Sequence, residues 1–125
     1  MSKISVAKEI RKNSKAQENN CYICNYDIVE THHIIKVSIL TGIVLKFDAI
    51  VNNLIIPVIA LCPKHHVKMH CLMNDRNGNT TTTEYEKEKY TEIVNMAQYD
   101  NNTEYSESYN RSVDRMKDAV LENLE

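Results

Sequence analysis

The chain has 125 residues, 42% of them apolar, no Trp, and a formal net charge of −2, enough for one ordinary domain or a small module with appended helices. No stretch reaches the roughly 18–20 uncharged apolar residues of a membrane span; the longest apolar run, residues 50–62, is broken by Asn52, Asn53 and Pro57. The opening MSKISVAKEIRK is charged and has no apolar h-region, so a secretory signal is not expected, and a cytoplasmic protein with reduced thiols is.

The elements follow in chain order. Residues 3–17 read as a short basic helix with Ile4, Ala7 and Ile10 on one face. Residues 1–20 hold five basic and two acidic residues, a net +3, and form the first expected region. Cys21-x-x-Cys24 opens a tight knuckle, and residues 29–37 look extended. Residues 38–52 are a connection of uncertain form. Leu54 to Leu61, rich in Ile, reads as a strand despite Pro57. Pro63 suits a helix first turn, and the helix is expected to run to about Met73.

Asp75 to Thr83 is a polar loop with an Asn-Gly turn. Thr83 with Glu86 three residues on is the capping-box pattern, starting a helix with Tyr90, Ile93, Val94 and Ala97 on its apolar face. Tyr105, Tyr109, Val113, Met116, Val120 and Leu124 recur in steps of three and four, an amphipathic helix of about 20 residues. Residues 71–125 carry six basic and twelve acidic residues, a net −6. A nucleic-acid surface therefore belongs to the first 70 residues, and the acidic helices of 84–125 should turn away from phosphates. They show no chemistry of their own and are expected to pack on the rest of the chain, on a second copy as a homodimer, or on a protein partner.

All four cysteines and all five histidines fall between residues 21 and 71. Cys21-x-x-Cys24 and Cys62-x-x-His65 have the spacing of two zinc half-sites, and together make a Cys3His set. Four protein ligands leave no open coordination position, so this ion would be a structural zinc that adds to folding. A redox pair at Cys21/Cys24 would leave the second half-site unexplained. His65 and His66 lie about 100° apart on a helix, so only one faces that zinc, while His70 at i+4 lies near His66. His32 and His33 are neighbours in an extended segment and point to opposite faces; one can bind a metal while the other works as a base. Cys71 lies outside this ligand set and reads as a packing residue.

Cys-x-x-Cys, Glu30-Thr31-His32-His33-Ile34, Asn53-Leu54-Ile55, Leu61-Cys62-Pro63-Lys64-His65-His66 and then His70 resemble the HNH endonuclease motif over residues 18–73. The resemblance implies an α+β fold: a small ββα-metal core, a hairpin followed by a helix, pinned by the Cys3His zinc and flanked by the N-terminal helix and the C-terminal helices. It implies a metal-dependent DNA endonuclease, acting on double-stranded DNA, of the kind that belongs to a phage, a mobile element or a restriction system. His33 would be the general base that activates water. His32 and His66 would hold a catalytic divalent ion, with Mn²⁺, Ni²⁺ or Zn²⁺ suiting two imidazoles better than Mg²⁺. Asn53 would orient the His33 ring. His70 would assist the metal, contact phosphate or cap its helix, and Lys36, Lys64 and Lys68 would contact phosphates. The spacing departs from the family's: eight residues separate Asn53 from Cys62, about four more than the pattern has, which leaves Asn52 as an alternative to Asn53. The competing reading is a catalytically silent zinc module that binds nucleic acid or a protein. A zinc hydrolase acting on another substrate ranks last, because no His-Glu-x-x-His is present.

Overall fold

The computed structural model describes residues 2–74 and 81–125 and has an α+β fold: five α-helices around a two-stranded antiparallel sheet. Helix α1 (Lys3–Lys12) is capped by Ser2, whose side chain accepts from the Ser5 N–H. It is shorter than the expected 3–17, and it is no appendage: Val6 and Ile10 are fully buried, against α2 (Val37–Phe47). Helix α2 occupies the connection left open by the sequence. Its sequence, VSILTGIVLKF, is apolar on most sides, as suits a helix packed between neighbours. Asp48 ends it in the left-handed conformation with φ 52°, which Asp tolerates better than most residues.

The strands are shorter than expected. Strand β1 is Glu30–His33 and β2 is Val58–Leu61, with Glu30 opposite Leu61 and His33 opposite Val58. They pair antiparallel, as a hairpin's strands do, and are joined through residues 34–57, which hold α2 and a 3-10 turn at Val51–Asn53. The first half of the expected 54–61 strand leaves the ladder at Pro57, whose carbonyl still accepts from the Ile34 N–H at 3.0 Å.

Helix α3 (Pro63–Met73) follows β2 directly, with Cys62 as N-cap and Pro63 in the first turn, as expected. Helix α4 (Glu84–Asn95) has the full Thr83–Glu86 capping box, and α5 (Ser106–Asn123) buries Tyr109, Val113, Met116 and Val120. The expected Asn-Gly turn lies outside the described residues. The C-terminal helices fold back on the rest of the chain. Tyr109 Oη donates to the Ile55 carbonyl at 2.9 Å, and Asn123 Nδ2 donates to the Leu72 carbonyl at 2.7 Å. Burying side chains such as Tyr90, Ile93 and Tyr109 contributes roughly 1.5–3 kcal/mol each. No helix among the described residues is long and apolar enough to cross a membrane.

Candidate metal centres

Two donor clusters lie on different faces of α3. The first is built from the knuckle and the helix start. Asn25, at φ 64°, turns the chain after Cys24, and the turn closes with Asn25 N–H on the Cys21 carbonyl at 2.9 Å. The Tyr22 N–H donates to the Ala60 carbonyl at 3.1 Å, which seats the knuckle beside Cys62. Cys62 Sγ also accepts from the His65 N–H at 3.5 Å, so it caps α3 as well. The donor atoms of Cys21, Cys24, Cys62 and His65 all lie within 4.8 Å of one another. Cys24 Sγ is 3.7 Å from Cys62 Sγ, and His65 Nδ1 is 3.2 Å from Cys62 Sγ and 3.9 Å from Cys21 Sγ. Around a tetrahedral Zn²⁺, sulfur–sulfur separations of about 3.8 Å and sulfur–nitrogen separations of about 3.6 Å are needed. The group therefore fits a closed, four-ligand ion.

Its electrostatics favour a cation. Burial opposes ionisation of Cys21, yet backbone N–H groups of Cys24, Cys62 and Ile23 outweigh it and hold the thiol below its usual range. Burial and the neighbouring sulfurs push Cys24 up. A bound cation removes that repulsion. His65 donates through Nε2 to Glu86 Oε2 at 2.9 Å, which leaves the Nδ1 lone pair for the metal. Lys68 Nζ lies 2.9 Å from the same oxygen and also donates to the Thr81 carbonyl. Lys68 thus supports the ligand shell rather than standing free for phosphate, against expectation. Burial pushes Glu86 up, but the Thr83 N–H, Lys68 and His65 hold its carboxyl down to about 2.

The second cluster joins β1 to the opposite side of α3. The ligand atoms of His32, His66 and His70 lie within 4.8 Å of one another. His66 Nε2 and His70 Nε2 are 3.1 Å apart, and the His32 ring meets both edge-on, with centroids at 5.2 and 5.3 Å. Glu30 Oε1 accepts from His66 Nδ1 at 2.8 Å, so the His66 lone pair sits on Nε2. His32 is fully buried, and neither of its ring nitrogens has a hydrogen-bond partner among the described residues. Burial, then the charges of His66, His70 and His33, push its pKa down to about 3. A neutral, buried imidazole with two orphaned nitrogens costs on the order of 1–3 kcal/mol per group, and a metal ion removes part of that cost. Three imidazoles fit a transition metal and leave a coordination position open.

His33, on the other face of β1, lines an open pocket of about 420 Å³ together with Arg11, Lys36, His66 and His70. His66 and His70 belong both to this pocket and to the cluster with His32, which meets their rings but does not line the pocket. Burial, then the charges of Arg11 and His66, lower the His33 pKa below 6.5, so the ring is neutral at neutral pH. Lys36 also bonds Asn74 Oδ1, and Lys64 is exposed at the start of α3. No hydrogen bond joins Asn53 and His33 among the described residues; the main-chain carbonyl of Asn53 accepts from Tyr105 Oη at 3.4 Å. Asn52 lies beside a different pocket, near Asn13 and Lys15. The His33 ring instead meets Ser14 Oγ, 2.8 Å from Nε2.

Sequence reasoning missed Ser14 and gave no role to Glu30. It read Glu86 only as a capping residue, although a carboxylate two positions before a histidine pair, or in a capping box next to a half-site, is the signal for such supports. No family model, no curated protein and no solved structure matches this chain.

Proposed function

We propose that the protein is a metal-dependent endonuclease of the HNH type that hydrolyses phosphodiester bonds in DNA, with zinc in the Cys3His cluster as a structural ion. The observation that carries this reading is the buried His32, without hydrogen-bond partners, facing His66 and His70 behind a cationic pocket that also holds His33. Arg11 and Lys36 attract a phosphodiester into that pocket and neutralise its charge. Glu30 fixes the His66 ring. His33, neutral at neutral pH, takes the proton from the attacking water. A divalent ion on His32, His66 and His70 would supply Lewis acidity toward the phosphate and the leaving oxygen.

The lack of a hydrogen bond between Asn53 and His33 among the described residues favours the second reading, a zinc module that binds nucleic acid or protein without cutting. Cleavage of supercoiled plasmid with Mn²⁺, Ni²⁺ and Mg²⁺ separates the two. Wild type relaxes or linearises the plasmid, fastest with Mn²⁺ or Ni²⁺, and His33→Ala is slower by roughly 10²–10⁴-fold. Absence of cutting of duplex, single-stranded DNA or RNA with every metal supports the silent module.

A further inference from the structure

Ser14 lies just beyond α1, is 7% exposed, and makes two hydrogen bonds. Its Oγ is bonded to the Ile10 carbonyl and stands 2.8 Å from His33 Nε2. A serine hydroxyl has one hydrogen to give and two lone pairs with which to accept. The Ile10 carbonyl oxygen can only accept, so the hydroxyl hydrogen goes there. Toward the imidazole, Oγ is then left as an acceptor, and His33 Nε2 must be the donor.

The segment that presents Ser14 is fixed at both ends. Ile10 is fully buried in the core, and the Ala16 N–H donates to Thr31 Oγ1 at 3.0 Å, two residues before His33 on β1. Residues 14–16 therefore run alongside β1, bonded to it at Thr31 and His33.

We propose that Ser14 is a positioning residue that holds neutral His33 in the tautomer protonated at Nε2, so that Nδ1 is the atom with the free lone pair. Nδ1 has no protein partner among the described residues, and His33 lines the pocket. In the proposed hydrolysis, water forms its bond to phosphorus, its proton passes to His33 Nδ1, and the 3′ oxygen leaves with the electrons of the broken phosphorus–oxygen bond. That last consequence rests on the proposed function; the tautomer does not.

The test is long-range ¹H–¹⁵N correlation of the imidazole rings in the zinc-loaded full chain. Wild type and Ser14→Thr should show His33 protonated at Nε2 alone. Ser14→Ala should show a mixture of tautomers, with the other rings unchanged. Plasmid cleavage should fall on the order of 10-fold in Ser14→Ala, the net worth of one hydrogen bond, and recover in Ser14→Thr, with KM unaltered. A wild-type His33 protonated at Nδ1, or an unchanged His33 spectrum in Ser14→Ala, overturns the assignment. A wild type with the expected tautomer that cuts no substrate supports the Ser14 lock and sinks the nuclease reading instead.

Discussion

Glu86→Gln removes one charge and almost no volume from a side chain that braces the Cys3His cluster through His65. One carboxylate oxygen of Glu86 accepts from His65 Nε2 and Lys68 Nζ, both at 2.9 Å. The other accepts from the Thr83 N–H at 3.0 Å. Holding the carboxyl at about 2 instead of 4.5 corresponds to about 3 kcal/mol in favour of the charged form, at 1.36 kcal/mol per unit. Glutamine has a single acceptor oxygen, so its NH₂ must face either the Thr83 N–H or the His65–Lys68 pair. At least one buried donor is left unpaired, a cost of roughly 1–3 kcal/mol. The two routes bracket a loss of roughly 1–3 kcal/mol at neutral pH. Urea unfolding in excess zinc measures it, and competition with a chromophoric chelator should show zinc affinity falling by roughly 10–100-fold. Because the folded-state pKa is depressed, the contribution is complete above pH 4.5 and disappears as pH falls toward 2. The gap between wild type and variant narrows over that window. A variant with wild-type stability and zinc affinity would refute the role given to Glu86.

Further outcomes follow from the same two clusters. His32→Leu removes two orphaned nitrogens from a fully buried position, so without added metal it should be as stable as wild type or more so. With one equivalent of zinc already on the cysteine cluster, Ni²⁺ at about 100 times the dissociation constant should stabilise wild type by about 2.7 kcal/mol and raise its melting temperature, while zinc-loaded His32→Leu should not respond; a response of equal size would contradict the three-histidine site. Cys24 is exposed, so Cys24→Ser loses little packing and its destabilisation, several kcal/mol in zinc, should vanish when both proteins are compared in chelator. Asn25 sits at φ 64°, where a β-branched side chain is strained. Asn25→Val should therefore lower stability by about 1–2 kcal/mol in thermal melts, and Asn25→Gly should be close to neutral.

The parts of the fold legible in the sequence are those governed by local rules. The Cys-x-x-Cys and Cys-x-x-His spacings fix how a turn can aim two donors, so the Cys3His group formed as read. The capping box at Thr83 and the three–four periodicity of α5 depend on residues a few positions apart, and both appear. Helix α2 was not legible because its VSILTGIVLKF run is apolar on most faces, which erases the periodicity that distinguishes helix from buried strand. The strands came out shorter because Pro57 has no N–H to give and α2 begins at Val37.

At the second centre, neighbours on one helix were legible and cross-chain partners were not. His66 and His70 follow from i, i+4 geometry, and opposite faces for His32 and His33 follow from the strand pleat. Ser14 meets His33 only because α1 packs on α2 and the 14–16 segment runs beside β1. Lys68 looked like any surface lysine until α4 brought Glu86 to within 2.9 Å of it.

Helix α3 contributes donors to two candidate metal clusters of opposite design, one with four ligands and one with three. Diffraction at the metal absorption edge, from crystals loaded with Zn²⁺ or Ni²⁺, tests it most directly. Two anomalous peaks per chain are expected, one at about 2.3 Å from the sulfurs of Cys21, Cys24 and Cys62, the other at about 2.1 Å from nitrogens of His32, His66 and His70. A single peak at the cysteines, or a second ion bound away from His32, would contradict it.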